Sequence, residues 1–113
     1  MPKTLKATIV GIVLLIAVQV NAATMHLSWT DNSTNEDTFE VQRKLGVSGV
    51  YSKIGEVLAN ITAYVDSTVA DGTLYCYRVR AVNAAGASAW SNEACAATPA
   101  PLPTAPSGLK AVP

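Results

Sequence analysis

The chain has 113 residues, of which 50% are hydrophobic and 14% charged, so it has room for one packed domain with short appendages. Its 8 basic and 8 acidic residues cancel, which excludes the strongly basic surface that nucleic acid or an anionic membrane requires. A single histidine and two cysteines exclude the usual constellations for nucleophilic catalysis and metal binding, so no enzyme activity, cofactor or metal is expected.

Residues 1–22 are predicted to be a secretory signal peptide, helical in its apolar part. Lys3 and Lys6 give a positive start, residues 7–20 are almost unbroken apolar, and the small residues up to Ala22 suit cleavage after that residue. The alternative is a retained membrane anchor, but 14 apolar residues fall short of the ~20 that a spanning helix needs. Cleavage would leave a secreted, extracellular protein with no membrane contact.

After residue 22, segments of alternating apolar and polar residues recur every 8 to 12 residues, with turn-forming residues between them. Strands are predicted at 25–30, 39–44, 51–54, 61–65, 75–81 and 88–97. The absence of a helical period in this part of the sequence predicts an all-β, antiparallel sandwich, and the family resemblance given below makes this sandwich immunoglobulin-like. The alternation also predicts the core residues, which are Leu27, Trp29, Phe39, Val41, Tyr75, Tyr77 and Val79.

The polar stretch 31–37 holds three carboxylates. It lacks the glycine and the terminal bidentate glutamate of an EF-hand loop, so we expect a solvated turn in which Glu36 or Asn35 caps backbone amides.

Cys76 and Cys95 lie on the strand at 75–81 and on the return run at 88–97. If they face each other, Arg78 lies opposite Glu93, so a disulfide and an ion pair are expected on the outer face. Two free thiols or a metal pair are the alternatives for the cysteines. The same alternation turns Trp90 inward, with an exposed binding platform as its alternative.

Five segments carry a family pattern: Leu27-Ser28-Trp29-Thr30-Asp31, Phe39-Glu40-Val41-Gln42-Arg43, Tyr64-Val65-Asp66, the run 72–83 and the run 86–92. Together they resemble a fibronectin type III domain of secreted bacterial proteins over about residues 25–98. The resemblance implies that Trp29 is a core residue and that the Tyr75 hydroxyl bonds nearby backbone. It also implies a non-catalytic module for adhesion, spacing, or protein or carbohydrate binding.

The pattern departs from the family at the front, where no strand A precedes the strand at residue 25. We therefore divide the chain into a domain lacking strand A (23–98), a Pro-rich linker (99–105) and a tail that resembles a strand A (106–113). The residues of that tail that would fill a core, as a donor strand, are Pro106, Leu109, Ala111 and Val112.

The linker of 7 residues reaches at most about 24 Å, less than the length of such a domain, so the tail fits a neighbouring copy better than its own. Two functions follow. The chain is a module whose partner is another protein or an extracellular polymer, or it is a structural subunit that self-associates head to tail through residues 103–113 and forms filaments. A fragment of a tandem-repeat protein, or a tail that is only a linker, is the alternative to strand donation.

Overall fold

The computed structural model describes residues 23–113, so the predicted signal peptide and its helix lie outside the described residues. Seven strands follow in order: β1 Met25–Ser28, β2 Thr38–Leu45, β3 Ser52–Leu58, β4 Ala63–Asp66, β5 Leu74–Asn83, β6 Gly86–Ala87 and β7 Ala94–Ala97. Every strand pair is antiparallel, which confirms the all-β prediction. In this part of the chain we found no helix with the length and apolar character to cross a membrane.

The strands form two sheets. β1 and β4 make a two-stranded sheet, and β3, β2, β5 and β6 follow one another in a five-stranded sheet that is completed by β7. β5 is the central strand of the larger sheet because β2 pairs along one side of it, while β7 and β6 pair with the two ends of its other side.

The core lies between the sheets, where β2 and β5 each present every second side chain. Its buried members are Phe39, Val41, Tyr75, Tyr77 and Val79. From the smaller sheet and its continuation, partly buried Met25, Leu27, Trp29 and Tyr64 pack against them. All seven predicted core residues therefore face this layer, although Leu27 and Trp29 are only partly covered.

β3 is longer than its sequence predicted, because residues 55–58 continue the strand that was expected to end at 54. Gly55 broke the apolar alternation on which that prediction relied. A side chain there would collide with the ring and hydroxyl of Tyr64, which crosses from the other sheet and donates a hydrogen bond to the Ile54 carbonyl. The glycine is thus a packing requirement within a strand.

The return run 88–97 is strand only in its last four residues, with β6 standing before it. Cys76 pairs with Cys95 as predicted, and the same register continued along the run would put Ser91 opposite Arg80, but Ser91 donates its N–H to the carbonyl of Val79. The run therefore contains an extra residue relative to β5. Because of this bulge, the expected Arg78–Glu93 ion pair is wrong.

The start of β1 and the end of β7 lie at the same end of the sandwich. Met25 is paired with Asp66, and the segment 67–73 then crosses to the larger sheet. In that segment the Ala70 carbonyl accepts a hydrogen bond of 2.6 Å from the Thr98 hydroxyl. We call this the exit end, since the C-terminal segment leaves the domain here, and the opposite one the far end.

Candidate functional site: the free edge of β1

β1 is hydrogen-bonded on one side only among residues 23–113, where β4 is its sole strand partner. The backbone N–H of Trp29 donates to the Thr62 carbonyl on that side. Backbone groups alternate in direction along an antiparallel strand, so those of His26 and Ser28 point to the other side. Two N–H and two C=O groups therefore line a free edge.

A cleft of about 590 Å³ borders this edge and opens between the two sheets. Its lining comes from β1 and the residues after it on one side and from β5 and the run before β7 on the other: His26, Leu27, Ser28, Trp29, Thr30, Asn32, Tyr77, Arg78, Val79, Ser91, Asn92 and Ala94. Leu27 and Val79 belong to the core layer, whereas more than half of the lining residues are polar, so the cleft is of mixed character. The cleft therefore exposes part of the core beside unpaired backbone.

The indole of Trp29 lies in the wall of this cleft. Its ring packs edge-on against Phe39, with the ring centroids 5.6 Å apart. Its Nε1 atom is buried, yet it has no hydrogen-bond partner among the described residues. A buried donor without an acceptor costs about 1–3 kcal/mol, so a protein rarely keeps one without a reason.

The C-terminal segment is held at its root and then leaves the domain. The Thr98 amide donates to the Thr73 carbonyl, and the Pro99 carbonyl accepts from the Gly72 amide. Beyond residue 100 the described chain has no strand pairing, and every residue is exposed. Leu109 is 98% exposed. None of the four predicted donor residues, Pro106, Leu109, Ala111 and Val112, lines the cleft of its own domain.

The outer face of the larger sheet carries a ladder of alternating cations and aromatic rings. The Arg78 guanidinium lies 4.0 Å from the ring centroid of Tyr51 and 4.0 Å from that of Trp90. Arg80 lies 4.2 Å from the Trp90 ring, and the Lys44 ammonium 5.0 Å from the Tyr51 ring. We call these five residues the outer ladder.

Each cation of the outer ladder also has an oxygen partner: Gln42 Oε1 for Arg78 at 2.8 Å, Glu40 Oε1 for Arg80 at 3.0 Å and Glu93 Oε2 for Lys44 at 2.9 Å. The Tyr51 hydroxyl donates to Glu93 as well. Burial and this bond raise the pKa of Tyr51 to about 12, and the bonds from Tyr51 and Lys44 lower the pKa of Glu93. The charges of this face are therefore satisfied within the domain.

The inward placement predicted for Trp90 is wrong. Its ring stacks on Arg78 and Arg80, whose side chains leave β5 on the outer face. The bulge between residues 88 and 93 reverses the alternation that was counted back from Cys95. Two neighbouring arginines opposite a tryptophan were the sequence signal for this arrangement, because guanidinium groups favour aromatic faces.

The disulfide between Cys76 and Cys95 is confirmed. Cys76 is fully buried although it points to the outer face, opposite Lys44 of β2. A carboxylate of Glu93 lies near both sulfurs. The two sulfurs are bonded to each other and are not thiolates, so these three residues do not offer the ligand set of a metal site.

A second polar cluster ties the two sheets together at the exit end. Asp66, whose side chain is 2% exposed, accepts hydrogen bonds from Arg43 at 2.9 Å and from the Tyr77 hydroxyl at 2.8 Å. Thr68 adds bonds from its amide and its hydroxyl. Burial opposes ionisation, but these bonds together lower the pKa of Asp66 to about 2. Burial and the bond to Asp66 raise the pKa of Tyr77.

Two turns are held as the sequence led us to expect. The Tyr75 hydroxyl accepts a hydrogen bond of 2.9 Å from the Ala70 amide. In the stretch 31–37, Glu36 is buried and accepts bonds from the Ser33 hydroxyl and the Asn60 amide. Chiefly through the bond from Ser33, its pKa falls to about 2. The carboxylate therefore acts as a backbone cap.

No family model matches the chain. Solved structures do, and they are mainly fibronectin type III domains. The fn3 domain of the human collagen alpha-1(XX) chain matches 78% of this chain and 81% of its own at 20% identity, with a TM-score of 0.61. The fourth such domain of a human protein matches 80% and 76% at 19% identity, with a TM-score of 0.62. The fold is thus the fibronectin type III β-sandwich.

Pectate lyase Pel3 from Pectobacterium carotovorum is similar at 28% identity and a TM-score of 0.60 over 78% of this chain, but over only 27% of the enzyme. The twitchin kinase region from C. elegans likewise matches over 15% of its length. In both cases the likeness is to a part of a longer protein.

Proposed function

We propose that the chain is a secreted, non-catalytic structural subunit in which the C-terminal segment of one copy completes the sandwich of the next. The free edge of β1, with the cleft of about 590 Å³ beside it, is the observation that carries this proposal. An extended segment added there would pair its backbone with His26 and Ser28 and bury apolar side chains in the cleft. The tail 106–113 would act as this donor strand.

Chain direction favours a neighbour over the domain's own tail. A strand antiparallel to β1 must run from the far end to the exit end, whereas the tail leaves at the exit end. To begin such a strand in its own domain, the chain would have to return along β5, whose ten residues span about 33 Å. The Pro-rich linker 99–105 reaches at most about 24 Å.

In a neighbouring copy the same tail meets no such obstacle. It leaves one domain at the exit end and enters the next at the far end, already pointing in the antiparallel direction. Leu109 would exchange nearly complete exposure for the cleft, which is worth about 1.5–3 kcal/mol for one such side chain. Each new backbone hydrogen bond would add about 0.5–1.5 kcal/mol.

A contact of this kind joins two different surfaces, so it propagates into a filament unless it closes into a ring. The disulfide and the fibronectin type III fold both suit an extracellular protein. Both features support the proposal that the filament is extracellular.

The second candidate is a monomeric module for adhesion, spacing, or protein or carbohydrate binding. The matches to single domains within longer proteins favour it. In that case the tail is a spacer, and no copy of this chain donates a strand to the cleft.

The experiment that tests the proposal compares the oligomeric state of residues 23–113 with that of a Leu109→Asp variant, by size exclusion with light scattering at several concentrations. A carboxylate in place of Leu109 would lose the apolar contact with core residues such as Leu27 and Val79 and would have to give up its hydration, so the variant should be monomeric while the parent forms oligomers. Leu102→Asp is the matched control, because Leu102 is 85% exposed but lies in the linker. A monomeric parent, or oligomers that survive Leu109→Asp, would contradict strand donation.

A further inference from the structure

We propose that the proline-rich stretch ahead of the donor strand makes a contact of its own: residues 103–106 of one copy bind, as a polyproline II helix, in a second cavity at the far end of the next copy. This inference rests on the proposed strand donation. It assigns a recognition role to the linker, which strand pairing alone would leave as a spacer.

The second cavity has a volume of about 330 Å³ and continues the cleft beside β1, since Trp29, Val79 and Ser91 are among the residues that line both. Phe39, near the start of β2, also lines it and pairs with Ala81, which places the cavity at the far end, where a donor enters. Six of its twelve lining residues are apolar: Trp29, Phe39, Val79, Ala81, Ala89 and Trp90. We call this cavity the aromatic pocket.

Trp29 is the ring of the aromatic pocket whose surface remains open to a ligand, because it is only partly buried. Phe39 packs against Trp29 and is 4% exposed. The guanidinium groups of Arg78 and Arg80 lie against the ring of Trp90, so that ring offers little more than its edge. A concave site with an accessible ring is the kind of surface on which proline-rich segments dock.

The donor segment carries the matching chemistry. Pro103 and Pro106 are three residues apart, which is one turn of a polyproline II helix, so their rings lie on the same side of it. Gly108 has a φ of +70°, which interrupts the extended backbone, so these prolines need not follow the side-chain alternation of the strand after it. Proline also lacks the N–H that a sheet ladder requires. The residues before Gly108 therefore suit a polyproline II helix better than a strand.

Chain direction brings these prolines to the aromatic pocket whichever residue of β1 lies opposite Leu109. The inward-facing candidates are Leu27 and Trp29, and in both cases the chain ahead of Leu109 runs toward the far end. Pro106 lies about 9 Å ahead of Leu109 in a polyproline II helix, so it passes the end of β1. The residues that follow Trp29 there line the pocket.

The proline contact would also tighten the joint between two copies. A polyproline II segment is already extended before it binds, so it loses little conformational freedom. Its residues are exposed in the free chain and would gain burial. With Pro103 bound, the chain from Pro99, which is held by Gly72, has four steps left and reaches at most about 14 Å. Joined domains would therefore stay close together.

The first test locates the contact by NMR. The Leu109→Asp variant serves as a monomer with a vacant cleft and is titrated with synthetic peptides of residues 101–113 and 107–113. Ala89 lines the aromatic pocket but not the cleft, and Ala94 lines the cleft but not the pocket. We expect the longer peptide to shift the backbone amide signals of both alanines, and the shorter peptide to shift only that of Ala94.

The second test replaces the prolines and measures affinity by calorimetry. A peptide of residues 101–113 with Pro103→Ala and Pro106→Ala should bind about tenfold more weakly than the parent peptide, since two rings lose their burial. A peptide with Thr104→Ala and Ser107→Ala is the matched control and should bind as the parent does.

The third test changes the acceptor, because replacing prolines also loosens the free peptide. Ala89→Asp puts a carboxylate on an exposed residue of the aromatic pocket. It should lower the affinity for peptide 101–113 to that of peptide 107–113, and it should leave the binding of the shorter peptide unchanged. Ala84→Asp is the matched control, since Ala84 is exposed and lines neither cavity.

The outcomes separate this inference from the proposed function. A longer peptide that shifts the Ala94 signal but not that of Ala89, or an affinity that does not depend on the prolines, overturns the proline contact and leaves strand donation standing. Peptides that shift neither signal overturn both. A shift of the Ala89 signal alone would overturn strand donation, on which the inference rests.

Discussion

The outer ladder and the free edge of β1 lie on the same small sandwich, yet one is complete within the domain and the other is not. In the ladder, each cation has both an aromatic face and an oxygen partner. At the free edge, the backbone of His26 and Ser28 and the indole of Trp29 have no strand or acceptor among the described residues. The proposed assembly therefore uses the unsatisfied groups rather than the charged ones.

Among the groups whose partners lie within the domain, the disulfide should have the largest effect on the free energy of unfolding. Replacing Cys76 and Cys95 together by alanine should lower the free energy of unfolding by about 3 kcal/mol, since a bond across 19 positions restrains the unfolded chain. Denaturant titration measures this. An unchanged midpoint would show that the backbone pairing of β7 with β5 is sufficient without the disulfide.

The buried cluster around Asp66 at the exit end should make the free energy of unfolding depend on pH in the acidic range. The pKa of Asp66 is about 2 in the folded protein and 3.8 in its reference state, so its contribution is present above pH 4 and is lost as pH falls from about 4 to 2. The difference amounts to about 2 kcal/mol.

Asp66→Asn is the comparison for that loss. The variant should be less stable at pH 6 and should show a shallower decline between pH 4 and 2, followed by thermal unfolding. An equally steep decline in the variant would assign the acid sensitivity to other carboxylates, with Glu36 the first to examine.

Truncation of a side chain in the outer ladder should destabilise the protein less than either of these changes. Trp90→Ala removes the ring that lies between Arg78 and Arg80, at about 0.5–1 kcal/mol for each partly exposed cation–π contact. Assembly should persist, because Trp90 does not line the cleft beside β1. Loss of oligomers at unchanged stability would make the ladder part of the interface between copies. The difference between the ladder and the free edge of β1 would then no longer hold.

The smallest effect on stability is expected for Leu109, although the proposed assembly depends on it most. Leu109→Asp should change the unfolding free energy of the isolated domain by less than about 0.5 kcal/mol, because the side chain is 98% exposed and touches no core residue. Thermal unfolding of the variant and of residues 23–105, both at low concentration, should therefore coincide. A lower transition in either would mean that the tail packs on its own domain.

Local pattern was sufficient for much of the fold. The period-two alternation of β2 and β5 identified the buried residues from Phe39 to Val79, and it put Cys76 and Cys95 on the same outer face, where a disulfide was expected. It failed where a residue's neighbours in space decide, as at Gly55, which remains in a strand because Tyr64 needs the room. It failed again between residues 88 and 93, where one extra residue moved Trp90 to the outer face.

The candidate site was only half visible in the sequence. The resemblance of the segment around Leu109 to a strand A suggested the proposed donor. Which edge of which strand lacks a partner, and whether Trp29 finds an acceptor, depends on contacts between residues distant along the chain.

The sequence by itself determined which side chains avoid water in each strand, because alternation along an extended backbone sends neighbours to opposite faces. Only the tertiary structure decided the partners: that Glu93 bonds Lys44 and Tyr51, that Arg78 lies between two rings, and that β1 is paired on one side only within residues 23–113. The reason is that hydrogen bonds and stacking require groups to meet at short range, and chain folding alone brings distant segments to that range.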